Sequence, residues 1–314
     1  MAEPASHPSF SGFARLKLFW ALSRTPHGLL DMCTPAFAAL LWLGALPPLD
    51  VILIGFLTLF AGYTAVYALN DVVDYRVDRE KAAAGVLSEG TSDIDGVIVR
   101  HPMARGLLSF TEGLAWTVAW STVALFGAYY LNPVCVVIFL GGCAFEAVYC
   151  KLWRVSPYRA LVSGAVKTCG PIAAVFAVDS QPSALFLVVL FCTLFLWEIG
   201  GQNIPNELTD LEEDRRMGAR TLPVRWGIES AIRIAFAALT AAVLISVGVF
   251  LISRLHHRGF SALIALGLGS WLLIRPGLRL FRNQDGASAM ALFNQASYYP
   301  PALLAIVLLG LMAA

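Results

Sequence analysis

The chain has 314 residues, of which 58% are hydrophobic and only 14% charged, with a net charge of +1 and a mean hydropathy of +0.71. A soluble domain carries about 25% charged residues, so the composition excludes an ordinary cytosolic enzyme, and the lack of any basic run excludes a nucleic-acid binder. The apolar runs are long and continuous rather than alternating, which leaves a polytopic α-helical membrane protein and argues against a β-barrel.

Residues 1–22 read as a polar N-terminal tail, without the compact apolar stretch and small-residue site of a cleavable signal. Residues 23–314 read as a single transmembrane domain. A bilayer crossing needs about 20 apolar residues. Nine runs meet that length: 26–46, 51–70, 110–131, 133–150, 157–178, 183–206, 229–252, 260–280 and 288–313. Helix-start signals fit these ends. Thr25-Pro26, Asn132-Pro133 and Ser156-Pro157 each set a capping side chain before a first-turn proline. Ser109 and Glu112 have capping-box spacing, and Pro300 and Pro301 are expected to kink the last span. The six cysteines lie in or beside apolar runs with no CxxC pair, and read as small apolar fillers.

Lys and Arg fix an orientation. Eighteen of them fall in the N-terminus and in the loops after spans 2, 4, 6 and 8, against Arg254 and Arg258 on the other side. The positive-inside rule then places the N-terminus in the cytoplasm. The two long loops, 71–109 and 207–228, form a cytoplasmic cap, and chemistry is expected there.

Spans 2 and 6 end in matching acidic motifs. Asn70-Asp71-Val72-Val73-Asp74-Tyr75-Arg76-Val77-Asp78 and Asn206-Glu207-Leu208-Thr209-Asp210-Leu211-Glu212-Glu213-Asp214 both fit N-[DE]-x-x-D-x-x-x-D and start 136 residues apart. The pattern has the look of an internal duplication. Positions i, i+4 and i+8 share a helix face, so Asn70, Asp74 and Asp78 line up, as do Asn206, Asp210 and Asp214. Carboxylates held this close repel one another unless neutralised. Mg2+ accepts oxygen ligands and bridges carboxylates to phosphates. The paired motifs therefore predict a Mg2+–diphosphate site at the cytoplasmic mouth of a helix bundle. One such motif often marks only a solvated helix end. Two, each followed by arginines, favour the site.

With these motifs the chain resembles the UbiA superfamily of intramembrane prenyltransferases from about residue 23 to the end. The stretch from Gly218 to Gly227 is similar to the family's G-x-x-T-L-x-V-x-x-G, and Tyr149 to Gly164 resembles its segment between spans 4 and 5. The sequence departs at Arg100-His101-Pro102-Met103-Ala104-Arg105-Gly106, where His101 stands in place of the family's usual Arg. The stretch from Arg79 to Val99 is long and carries Glu89, Asp93 and Asp95. Glu207 replaces the Asp that would make the second motif a closer copy of the first.

The resemblance implies a nine-helix bundle that transfers a prenyl chain from an isoprenyl diphosphate to an acceptor through an allylic cation. It implies Mg2+ held by Asp71, Asp74, Asp78, Asp210 and Asp214 with Asn70 and Asn206, and makes Lys151, Arg154 and Arg220 candidates for diphosphate contacts, with a surface-anchor role as the alternative for each. Tyr67, with Tyr63 one turn deeper on the same helix face, is placed to stabilise the cation through its ring; interhelical packing is the alternative for Tyr63, and Tyr149 is a further candidate. Asp31, Glu146, Lys167 and Glu198 fall inside spans, where ionisable groups are costly and face the interior. Lys167 paired with Glu146 or Glu198 is the structural expectation, and a polar pocket for the acceptor is the functional one. Arg24, His27 and Asp31 are candidates to bind the acceptor.

The expected product is of the quinone-biosynthesis type, with an aromatic acceptor. The stretch after Asp78 lacks the Asn- and Pro-rich pattern of the chlorophyll and archaeal-lipid branches. The same fold also admits a non-aromatic acceptor or a terpene cyclase. A transporter or a non-catalytic prenyl-lipid-binding protein is the alternative from another class. The expected location is the cytoplasmic (inner) membrane if the source is bacterial, with the active site facing the cytoplasm. The expected partners are the diphosphate donor, the acceptor and the lipid bilayer, and no nucleic acid.

Overall fold

The computed structural model describes residues 12–87 and 94–313; residues 1–11, Glu89 and Asp93 lie outside them. Every regular element among the described residues is helical. Inside the stretch read as a tail, α1 (Phe13–Leu22) buries Leu18 and Leu22 against Met103 and Leu108.

The first predicted span is not one helix. It divides into α2 (Thr25–Asp31) and α3 (Cys33–Leu43). The cause is Pro35, which has no N–H to offer the Asp31 carbonyl and whose ring crowds it. The Thr34 hydroxyl donates to that carbonyl instead, at 2.7 Å. Thr25 is also not the cap expected of it: its hydroxyl donates to the Trp20 carbonyl at 3.0 Å.

α4 (Leu49–Ala83) has 35 residues. At 1.5 Å per residue it runs about 52 Å, well beyond a hydrocarbon core of about 30 Å. The stretch expected to be loop from residue 71 therefore begins as helix. Nothing from Asn70 to Ala83 is Gly or Pro, so nothing stops it. Gly85 does: at φ +65° it takes the left-handed conformation. Its N–H bonds the Ala82 carbonyl and that of Val86 bonds Lys81, both at 3.1 Å, which is the Schellman closure of a helix end. A short 3-10 turn at Ile94–Val97 follows.

α5 (Phe110–Leu131) opens with the predicted Ser109–Glu112 capping box. α6 (Pro133–Lys151) opens with Asn132 accepting the Val134 N–H at 2.9 Å. α7 (Arg159–Val178) and α8 (Ala184–Trp197) come next. α8 widens into a π segment, Glu198–Asn203, before α9 (Ile204–Thr209). Then come α10 (Leu211–Arg216), α11 (Leu222–Trp226) and α12 (Ile228–Leu251). α13 (Arg258–Gly269) runs through a second π segment, Ser270–Ile274, into α14 (Arg275–Asn283). α15 (Gly286–Ser297) and α16 (Tyr299–Met312) meet at Tyr298, beside the prolines expected to kink this span.

Eight helical stretches among the described residues are long and apolar enough to cross a membrane: α4, α5, α6, α7, α8–α9, α12, α13–α14 and α15–α16. They coincide with eight of the nine predicted spans. The aromatic core lies among α3, α8, α12 and α16. There Phe37 packs on Phe250 at 5.8 Å and Trp42 on Phe186 at 4.8 Å. At one end of the bundle Asp179 accepts from Trp42 Nε1 at 3.0 Å and pairs with Arg254 at 3.4 Å, joining the ends of α3, α7 and α12. The acidic motifs occupy the other end.

Candidate active site

One cavity of about 630 Å³ runs from the acidic end down into the bundle. Asp78 and Val51 of α4 both line it, so it follows that helix for about 40 Å. Its walls change from charged at the mouth to apolar below, where Ile52, Phe56 and Leu59 face Ala128 and Phe139.

On α4 the predicted stripe is in place: Asn70, Asp74 and Asp78 all line the cavity, with Tyr67 one turn deeper. Asn70 Nδ2 donates to Glu146 Oε1 at 2.5 Å and to Cys150 Sγ at 3.3 Å. That fixes the amide group. Asp71 points elsewhere. It is buried, with Oδ1 3.8 Å from Arg24 and 3.5 Å from His101 Nδ1, and that oxygen has no hydrogen bond. His101 Nδ1 is also 3.0 Å from Asp78 Oδ2. The residue that departs from the family pattern thus enters the acidic cluster itself, on a backbone with φ +50°, a region non-glycine residues visit sparingly. Burial opposes charge on this imidazole, but Asp71 and Asp78 prevail and raise its pKa to about 9.

The second motif is built differently. Pro205 offers no N–H to the carbonyl of residue 201. The helix absorbs the loss in the π segment just before it, where Ile204 N–H bonds back to the Ile199 carbonyl. The widened turn fits only because residue 200 is glycine; a Cβ there would lie 2.6 Å from the Ala235 carbonyl oxygen. The extra residue in that turn brings Glu198, Gln202, Asn203 and Asn206 to the cavity. At Asp210 the helix breaks, with φ −94° and ψ 9°. The Asp210 N–H still reaches Asn206 and the Asp214 N–H still reaches Asp210, at 3.1 and 2.8 Å, so the predicted face persists through the break. Asp210 and Asp214 both line the cavity. Burial, with Glu213 adding to it, raises Asp210 to about 6. Asp214 accepts from Trp153 Nε1 at 3.0 Å and Thr221 Oγ1 at 2.9 Å. Glu207 accepts the Leu222 N–H at 3.1 Å, at the start of α11.

The cations are arranged otherwise than expected. Arg24 lines the cavity, but Lys151, Arg154 and Arg220 are exposed and do not. Arg154 is drawn to Glu80 at 2.8 Å, and Arg220 contributes its backbone N–H to the Trp153 carbonyl, also at 2.8 Å. Lys81, Arg100 and Arg159 line the mouth instead. Arg159 is buried, lies 4.0 Å over the Tyr149 ring and 4.0 Å from Glu207, and its Nε has no hydrogen bond. Tyr149 also accepts from Asn203 Nδ2 at 3.1 Å.

Deeper in, Lys167 pairs with Asp31 at 2.6 Å and with Glu198 at 3.8 Å. The Tyr67 hydroxyl donates to the same Asp31 oxygen. The sequence expected Glu198 as a partner of Lys167 but not Asp31, and Glu146 has gone to Asn70.

The donor set suits a hard divalent cation. The mouth offers carboxylate and amide oxygens, among them an Asp210 whose ionisation burial resists, and beside it lies an Asp71 oxygen without a hydrogen bond. Ligand atoms of Asp71, Asp78 and His101 lie within 4.8 Å of one another.

The sequence profile of the UbiA prenyltransferase family matches residues 32–310. A digeranylgeranylglyceryl phosphate synthase of Thermococcus sibiricus is 27% identical over 232 residues, 74% of this chain and 76% of its own length. A 4-hydroxybenzoate octaprenyltransferase of Tolumonas auensis is 24% identical, over 83% of this chain and 87% of its own. The fold is that of a UbiA homologue from Archaeoglobus fulgidus bound to GPP and Mg2+, with a TM-score of 0.67 at 15% identity over 92% of this chain and 99% of that one. The chain is an integral membrane protein and a prenyltransferase of the UbiA family.

Proposed function

We propose that this chain transfers a prenyl group from an isoprenyl diphosphate to a hydroxyl-bearing aromatic acceptor, with Mg2+ at the acidic mouth. The observation that carries the reading is one continuous cavity with a carboxylate-lined mouth and an apolar body, which matches a ligand with a diphosphate head and a hydrocarbon tail. Asp74, Asp78 and Asp210, with Asn70 and Asn206, would hold Mg2+, and Asp71 and Asp214 border the set. When bound, the metal would neutralise the diphosphate as leaving group. Arg159, Lys81 and Arg24 supply positive charge at the same level, the role first assigned to Lys151, Arg154 and Arg220. Tyr67 presents its ring one turn below Asn70, where an allylic cation is stabilised by a π face. The apolar walls below exclude water from that cation. The Lys and Arg asymmetry supports an acidic mouth in the cytoplasm.

A glyceryl phosphate lipid is the second reading for the acceptor. It is favoured by the similarity to the Thermococcus synthase. The test is diphosphate release by the purified protein with Mg2+ and geranylgeranyl or farnesyl diphosphate, with 4-hydroxybenzoate, with a monoalkyl glyceryl phosphate, and with neither. Release that depends on 4-hydroxybenzoate supports the aromatic reading, and release that depends on the glyceryl lipid replaces it with the second. Release without acceptor points to a cyclase or hydrolase, and no release under any condition overturns the proposal.

A further inference from the structure

The transferase reading leaves the π segment without a role. Two buried oxygens on it have no hydrogen bond: Glu198 Oε2 and Asn203 Oδ1, on residues 6% and 5% exposed. Both residues line the cavity. Their other polar atoms are engaged. Ser163 Oγ donates to Glu198 Oε1 at 2.7 Å, and Asn203 Nδ2 donates to Tyr149 at 3.1 Å. The segment thus offers the cavity hydrogen-bond acceptors, which a ligand meets with an O–H or N–H.

Glu198 is not needed to neutralise Lys167. That ammonium already has Asp31 at 2.6 Å, against 3.8 Å to Glu198. Asp31 Oδ2 is engaged by Lys167 and by the Tyr67 hydroxyl, and His27 lies 3.8 Å from Oδ1. With Glu146, which also lines the cavity, the pocket therefore holds more carboxylates than its lysine balances. An excess buried carboxylate is costly in a membrane protein and is the kind of group retained for function. Its position is also apt: Lys167 reaches both Glu198 and the Tyr67 hydroxyl, the latter at 3.3 Å, and Tyr67 is one turn below Asn70. Glu198 thus sits beneath the proposed diphosphate site, where an acceptor must lie to meet the prenyl carbon.

We propose that Glu198 is the catalytic base of this site, receiving the acceptor's hydroxyl in a hydrogen bond to Oε2 and taking its proton as the new bond to the prenyl group forms. The inference rests on the transferase reading. The bond between prenyl C1 and the diphosphate oxygen breaks, and its electron pair leaves with diphosphate. With an alcohol acceptor, the hydroxyl oxygen bonds C1 and its proton passes to Glu198. With a phenol, the same proton transfer yields a phenoxide whose ring carbon bonds C1. The ring proton then passes to the released diphosphate, and Glu198 returns its proton to the oxygen. Ser163 holds Oε1, Lys167 lies 3.8 Å from Oε2 without a hydrogen bond to it, and Asn203 Oδ1 accepts a second donor of the ligand.

The test uses the full chain with Mg2+, geranylgeranyl diphosphate and whichever of 4-hydroxybenzoate or monoalkyl glyceryl phosphate the wild type accepts. Glu198→Gln is expected to lower kcat by about 100-fold or more, the lower bound for loss of a general base, with donor affinity within a factor of about two. Glu198→Ala is expected to regain activity with added formate, which a merely structural glutamate does not. If Glu198→Gln also loses donor binding, Glu198→Asp decides, since it keeps the charge beside Lys167 but withdraws the oxygen. A fall in kcat with donor binding intact supports the base, and an unchanged kcat overturns it. A wild type that turns over while Glu198→Gln matches it overturns this inference alone. A wild type inactive with every acceptor overturns the transferase reading and this inference with it.

Discussion

The two acidic motifs share a pattern and differ in construction. The first lies on an unbroken helix, and its carboxylates Asp71 and Asp78 meet the side chains of His101 and Arg24. The second is preceded by a π segment, broken at Asp210, tied to the segment that follows by Thr221 and the Leu222 N–H, and tied to the α6–α7 connection by Trp153. One spacing of residues thus yields one motif whose charges are balanced by replaceable cations and another whose charges also hold the fold. The physical cause is local. Pro205 forces the helix of the second motif to rearrange, and α4 has no equivalent residue.

If the first motif serves ligand binding alone, Asp74→Asn separates function from fold. Diphosphate release is expected to fall about 100- to 1000-fold, the scale of losing one electrostatic stabiliser of a leaving group. The melting temperature in detergent should stay that of the wild type. A variant with most of its activity would remove Asp74 from the site.

Asp214→Ala should lose both. It strands the buried Trp153 and Thr221 donors, and each unsatisfied buried group costs about 1–3 kcal/mol. A clear drop in melting temperature, absent in Asp74→Asn, is expected; equal melting temperatures would erase the distinction between the motifs. Thr221→Val, which removes one donor and leaves Asp214 with Trp153, should fall between.

His101 bears on the first motif only. Its imidazole stands where Asp71 and Asp78 approach each other. His101→Ala should therefore lower the Mg2+ concentration that half-saturates diphosphate release severalfold, as a competing cation is removed. A rise instead would make His101 a partner of the substrate rather than a counter-charge. Chelation by EDTA should abolish release in both proteins and added Mg2+ should restore it.

Much of this was legible in the residues. Eight spans, the capping box at Ser109 and the stripe Asn70–Asp74–Asp78 follow from hydropathy and helical periodicity, which act locally. What was not legible depends on distant partners. Lys167 has two candidate carboxylates in sequence, Glu146 and Glu198, and only the packing of α2 against α4 brings Asp31 to it. Pro35 and Pro205 signalled trouble for their helices, but the sequence could not say that one would split a helix and the other would widen one. Arg159 falls two residues inside a predicted span, where sequence alone does not say whether it turns inward or to the surface. The turn beginning at Ser156 carries it inward while Arg154, five residues earlier, stays at the surface.

Arg220 sharpens the comparison at its small end. It follows the second motif and matches the family pattern, which made it a candidate for diphosphate. Yet its guanidinium is exposed and its anchoring bond is made by the backbone, which alanine retains. Exposed side chains away from packing and sites change free energies by about 0.5 kcal/mol or less. Arg220→Ala is thus expected to alter kcat/KM by about twofold or less with melting unchanged. Arg154→Ala is expected to cost somewhat more, since besides surface Glu80 it donates to the Met217 carbonyl at 3.2 Å and lies over the Trp153 ring. A much larger loss in Arg220→Ala without a change in melting would mean that the loop after Asp214 closes over the bound diphosphate. The second motif would then resemble the first, a ligand-binding element that only looks structural before the ligand arrives.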